Sequence, residues 1–160
     1  MSLSARPAEK TGLDAIVKAS LRGGASGGAG GDIPDPDAND KFRHKLDFLD
    51  ALTAWSGAHK TKTKNRLILV GDLNVAPLPT DVWSHRQLLK VVSHTPPETE
   101  RMAQLLASHD WIDVMRRHVP PEETLFTWWS YRNRTWPGSD QGRMLDPIWV
   151  TPRRAPKLTG

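Results

Sequence analysis

At 160 residues and 38% hydrophobic content, the chain has the length of one domain and enough apolar material for a core. A formal charge of +4 and a pI near 9.6 permit a polyanionic partner without requiring one. The absence of cysteine excludes disulfides and thiolate metal sites and fits a reducing cytoplasm; no apolar run approaches the ~18 residues of a membrane span, and no apolar leader core opens the chain.

Residues 1–30 read differently from the rest. "TGLDAIVKASL" (11–21) can make a short helix, while "RGGASGGAGG" (22–31) cannot bury enough surface to offset its ordering entropy. Residues 1–30 are therefore expected to be a mostly disordered or non-homologous segment that can be removed without large loss of stability. "DIPDPDAND" (32–40) is a loop, in which Asn39 or Asp40 caps the following helix. "FRHKLDFLDALTAW" (42–55) places Phe42, Leu46, Leu49, Leu52 and Trp55 near one helical face. After the basic loop "HKTKTKNR" (59–66), which reads as solvated surface, the apolar "LILV" predicts a strand over 67–70. "DVWSHRQLLKVV" (81–92) and "PETERMAQLLASH" (97–109) read as helical, and "WIDVMRRHVP" (111–120) mixes apolar residues with a basic cluster. "LFTWWSYR" (125–132) and "RMLDPIWVTP" (143–152) read as strands, the second with Pro147 inside it, which belongs at an edge or bulge. Helices alternating with short strands define an α/β or α+β layered domain.

The strand over 67–70 runs straight into Gly71, Asp72 and Asn74. A strand end of this kind delivers a carboxylate and an amide to the sheet's rim, where they can hold a water or a hard cation. The same three residue types also make an ordinary turn. Asp146, between Leu145 and "IWV", is an acid in an apolar context and must be paired or functional. The six histidines show no metal-ligand spacing, so His85 and His94 read as surface or core polar residues. "MRRH" (115–118), Arg132, Arg134 and Arg143 can contact phosphates or simply be solvated. Seven tryptophans beside one tyrosine and three phenylalanines supply flat faces for a core or for stacking.

Three ordered motifs, "GDLNVAP" (71–77), "LFTWWSYR" (125–132) and "GRMLDPIWVTP" (142–152), resemble the exonuclease III / abasic-site endonuclease family of the endonuclease–exonuclease–phosphatase superfamily. "GGDIPDPDANDKFRHKLDFL" and "DVWSHRQLLKVVSHTPPE" extend the resemblance over residues 30–160. It implies a four-layer α/β/β/α sandwich and a DNA-repair nuclease using Mg2+ or Mn2+. The partner implied is duplex DNA with abasic sites or 3′ ends. By motif match Asp72 would orient or deprotonate the attacking water, Asn74 would position water or phosphate, and Asp146 would orient a catalytic histidine. Trp128, Trp129, Tyr131, Arg132 and Arg143 would contact DNA, the two tryptophans as the wall of an abasic-sugar pocket.

The chain departs from that family in places that bear on activity. Residues 1–30 match nothing of the family's N-terminal half, which carries a metal-binding Glu, and the sequence stops at Gly160 before the family's Ser-Asp-His segment. Met144 and Pro147 stand where arginine and, in bacterial relatives, histidine are common. The expectation is a C-terminal half-domain over 31–160 lacking its last strand, with impaired catalysis and possible self-association through exposed sheet faces. Two other readings remain: a non-catalytic module binding DNA or a partner, and a phosphatase of small substrates, against which the Trp-Trp-Ser-Tyr-Arg motif argues.

Overall fold

The computed structural model describes residues 3–7, 15–19, 35–60, 66–130 and 140–152. Five strands form one sheet in the order β1-β2-β3-β5-β4: β1 (Leu3–Pro7), β2 (Ala15–Ala19), β3 (Leu67–Val70), β4 (Ile112–Asp113) and β5 (Ile148–Val150). β3 is central, as its apolar run predicted. It pairs in parallel with β2 (Ala15 with Leu67 through Lys18 with Val70) and antiparallel with β5 (Ile68 with Val150, Val70 with Ile148).

Helix α1 (Asp40–Lys60) starts where Asn39 Oδ1 accepts the Phe42 amide at 3.1 Å, so the cap is Asn39. Its Phe42, Leu46, Leu49 and Leu52 recur at helical spacing and are all buried. Helix α3 (Pro96–Ala107) opens with two prolines in its first turn and a reciprocal Thr95–Glu98 cap. From these helices Phe48, Leu49, Leu52, Met102 and Leu105 pack with Leu67, Leu69, Trp111 and Trp149 in one core. Trp149 is opposite Leu69 in the ladder, so α1 and α3 cover that face of the sheet. On the other face Ile68 and Val70 are only half-buried and Ile148 is 39% exposed, so among the described residues one face of the sheet is layered with helix and the other is not.

Several local expectations are corrected. The stretch read as a helix over 11–21 instead contributes β2, and residues 3–7 form β1; the rest of residues 1–30 lies outside the described residues. The β-branched Ile16 and Val17 suit an extended strand, and the ladder offered by β3 overrides a weak local helical preference. Removing residues 1–30 is accordingly expected to lower the melting temperature, because four β3 residues lose their parallel partners; an unchanged melt would contradict the β2–β3 pairing.

Over 81–92 only α2 (His85–Leu88) is α-helical, with a 3-10 turn at Pro79–Asp81 before it. The chain between is claimed by the 142–144 segment: Trp83 N–H donates to Gly142 O at 3.2 Å and Val82 bridges Arg143. The strand expected over 125–132 is, in its described part, a single bridge of Trp128 with Arg143. Thr127 and Trp128 both donate to Arg143 O at 2.9 Å, so two residues oppose one and the ladder cannot continue. The strand expected over 143–152 is confined to β5, which begins just after Pro147, a residue with no N–H to offer. A short helix α4 (Val114–His118) holds the basic cluster.

Candidate active site

β3 ends at Val70, and Gly71 has φ 147°, a backbone conformation that side-chain-bearing residues resist. The turn after it is closed by the Asn74 amide donating to Asp72 Oδ1 at 2.9 Å, with Asn74 itself left-handed at φ 55°. Leu73 and Val75 go into the core while Asp72 and Asn74 stay half-buried at the end of β3. The turn expected from these residue types is thus the geometry found.

Three segments distant in sequence meet here. Leu73 N–H donates to Leu145 O at 3.1 Å, which lays the 71–76 turn beside Asp146. Asp146 Oδ2 accepts from Thr127 Oγ1 at 2.8 Å, and that hydroxyl also accepts the Leu145 amide at 3.0 Å. Thr127 leads directly into Trp128 and Trp129, which are 39% and 38% exposed although large and apolar. Trp129 Nε1 donates to Asp140 Oδ1 at 2.6 Å. Arg143 lies with its guanidinium 5.9 Å from the Trp128 ring centre, and its Nη1 donates to Ser93 Oγ at 2.6 Å. Of the sequence-predicted residues, Asp72, Asn74, Asp146, Trp128, Trp129 and Arg143 are thus brought to one end of the sheet, whereas Tyr131 and Arg132 lie outside the described residues.

Burial pushes the Asp72 carboxyl above its ordinary pKa; the Asn74 amide opposes this, the negative charge of Asp146 adds to it, and Lys45 again opposes it. A carboxyl whose folded pKa is raised holds its proton more tightly in the folded state. Its ionised form therefore costs stability at neutral pH, and that cost fades as pH falls through the raised value toward the ordinary one. An Asp72→Asn variant, which can still accept the Asn74 amide, is expected to melt higher than the unaltered chain at neutral pH, with the gain shrinking in acid. Melts across pH showing no gain, or one that grows in acid, would remove the charge strain at this position.

A divalent cation here would find a hard but incomplete donor set. Asp72 and Asp146 each have one oxygen already engaged, Asn74 offers an amide oxygen, and among the described residues no group of three or more His, Cys, Asp or Glu could hold a metal. Near-octahedral Mg2+ ligation is not met by these residues.

Sequence reading missed two charged groups beneath the rim, Lys45 and Glu98, 8% and 0% exposed. The signals were present: Lys45 sits three residues after Phe42 in the apolar stripe of α1, and Glu98 follows Thr95 at capping-box spacing. His85 and His94 are the polar residues expected. His94 is buried, its pKa lowered by burial; Nδ1 donates to Ala76 O at 2.7 Å, leaving Nε2 to accept from His85 Nδ1 at 2.7 Å.

An α/β sheet with a carboxylate–amide turn at one end and an aromatic wall beside it defines the class: the endonuclease/exonuclease/phosphatase fold of DNA-repair nucleases, which this chain resembles. No family model matches the sequence. The 3′–5′ exonuclease NExo of Neisseria meningitidis is 25% identical, with a TM-score of 0.72 over 93% of this chain and 52% of its own. An AP endonuclease of Archaeoglobus fulgidus is 23% identical, with a TM-score of 0.71 over 89% of this chain and 50% of its own. A structure of the 3′ phosphatase NExo from Neisseria bound to a product DNA hairpin gives 24%, 0.73, 91% and 51%. Recombination repair protein 1 of Drosophila melanogaster is 27% identical over 92 residues, 58% of this chain and 13% of that protein. The chain spans about half the length of the solved nucleases it matches. No helix among the described residues is long and apolar enough to cross a membrane.

Proposed function

We propose that this chain carries one half of a DNA phosphodiester-cleaving site and binds duplex DNA at abasic sites or 3′ ends. The observation that carries the reading is the convergence of the 71–76 turn, the 127–129 wall and Asp146 through the Leu73–Leu145 and Thr127–Asp146 hydrogen bonds. Asp72 is the group to hold and polarise an attacking water, because its raised pKa makes its free oxygen a better proton acceptor than an ordinary carboxylate. Asn74 positions that water or the phosphate. Asp146, held by Thr127, orients a basic group delivered from outside the described residues. The exposed indoles of Trp128 and Trp129 offer flat faces to a sugar or base that has left the stack. Arg143, tethered to Ser93, gives a fixed positive charge under that wall.

A divalent cation, magnesium or manganese, would screen the phosphate only with further oxygen ligands. A purely DNA-binding role uses the same wall and the same arginine and differs only in the absence of turnover. Fluorescence anisotropy with a duplex containing a tetrahydrofuran abasic analogue tests the binding surface. Binding is expected to weaken with salt, and the Trp128→Ala, Trp129→Ala double variant to lose ~1–3 kcal/mol per stacked base. Equal affinity of the double variant and the unaltered chain would sink the assignment of the wall.

A further inference from the structure

We propose that Lys45 and Glu98 are positioning residues: one buried ion pair beneath the rim that sets the Asp72–Asn74 turn and the Arg143 side chain together. The pair's relevance to DNA rests on the function proposed above, whereas the coupling between the two loops does not.

Lys45 projects from α1 and does two things with one ammonium group. It pairs with the Glu98 carboxylate and donates to the Asn74 carbonyl oxygen at 2.6 Å. Asn74 is the left-handed residue of the turn that Asp72 Oδ1 closes, so a donor on its carbonyl anchors the backbone of that turn. Glu98, on α3, uses both oxygens on the other loop. It accepts the Ser93 amide at 3.0 and 2.9 Å, the Thr95 amide at 3.0 Å and the Thr95 hydroxyl at 2.7 Å. Ser93 has φ 92°, a conformation that costs free energy for a residue with a side chain and persists only when its surroundings hold it. The carboxylate is what holds it. Ser93 in turn accepts Arg143 Nη1 on its hydroxyl and the Ala76 amide, at 2.7 Å, on its carbonyl. One charge pair therefore grips the carboxylate turn through Lys45 and the arginine tether through Glu98.

A helix cap alone would require Glu98 to reach only Thr95, and a core alone would place an aliphatic residue at position 45. Buried charges are costly unless each finds partners, and here the partners are backbone groups of the two loops that build the rim. Two strained or left-handed residues, Asn74 and Ser93, are the ones held.

The test uses the 160-residue chain and three variants: Lys45→Met with Glu98→Gln, which removes both charges; Lys45→Arg, which keeps charge and donors; and Glu98→Asp, which keeps charge but shortens the reach. Amide hydrogen exchange is followed at Asn74 and Ser93 against interior amides of β3 and α3, with affinity for the tetrahydrofuran duplex measured in parallel. In the uncharged double variant, exchange at Asn74 and Ser93 is expected to rise together by about tenfold or more while β3 and α3 amides change far less, a local opening. DNA affinity should fall by about tenfold in step with it, given that correct geometry on both loops is needed for contact. Lys45→Arg is expected to keep Asn74 protection at the level of the unaltered chain, and loss of it there would count against the proposal. Uniform loss of protection across the molecule would overturn the proposal, because that is what a merely structural pair gives. A response of Ser93 without Asn74 would overturn it too. Should the double variant not fold, Glu98→Asp decides: a joint rise at both amides supports the coupling, and no change at Asn74 refutes it. Joint opening with no DNA binding by any form, the unaltered chain included, would uphold the coupling and discard the nuclease reading.

Discussion

Incubated with magnesium and an abasic duplex, the 160-residue chain is expected to leave the strand uncut while still binding it. Phosphodiester cleavage needs an activated water, a screened phosphate and a stabilised leaving oxygen held in one place. In the function proposed above Asp72, Asn74 and Asp146 provide the water-holding part, and no cluster of three metal-competent side chains accompanies them among the described residues. The resemblance implies a metal-binding Glu and an Asp-His pair beside them, and these are not matched among the described residues. Loss of one positioned acid–base group commonly costs ~10²–10⁴ in rate, and groups that act as a unit fail together. The assay compares the chain with an Asp72→Ala variant on gels. Robust cleavage that disappears in the variant would overturn this expectation and mean that the remaining groups are supplied by residues outside the described set.

The second large effect is on stability. Arg116→Met is expected to destabilise the fold by about 3–5 kcal/mol, because it leaves a fully buried Asp81 carboxylate without its counter-charge. Arg116 pairs with Asp81 and also donates to Pro120 O and Glu123 O at 2.8 Å each, while the Asp81 carbonyl accepts the Met144 amide at 2.9 Å. The arginine thus clamps the segments that carry the aromatic wall and Asp146. Burial already pushes the Asp81 carboxyl above its ordinary pKa, with Arg116 the main opposing influence. Without Arg116 that carboxyl rises further and takes up a proton on folding. The variant's deficit should therefore be smallest in acid and grow as pH rises from the unaltered chain's raised value to the variant's still higher one. Thermal melts across pH check both size and slope; at neutral pH the shift should be about 10 °C for a domain of this length. A pH-independent deficit would show that lost packing, not the stranded charge, dominates.

Much of the site was legible as residue types in order. An apolar run ending in Gly71-Asp72-Leu73-Asn74 reads as a strand stopped by a turn, and in that turn Leu73 is buried while Asp72 and Asn74 stay half-buried. The apolar stripe of α1 was legible because a period of 3.6 survives whatever the helix packs on. What sequence could not supply were features set by distant partners. Residues 15–19 became a strand because β3 offered them a parallel ladder, and 125–130 failed to become one because Thr127 and Trp128 share a single carbonyl. Lys45 and Glu98 lie 53 residues apart, each explicable alone as a surface lysine and a cap, and only packing of α1 against α3 makes them one buried pair under the rim. Local rules determined which residues could reach the end of the sheet. Tertiary structure decided what holds them there, because a buried charge acquires its meaning from the partner that folding brings to it.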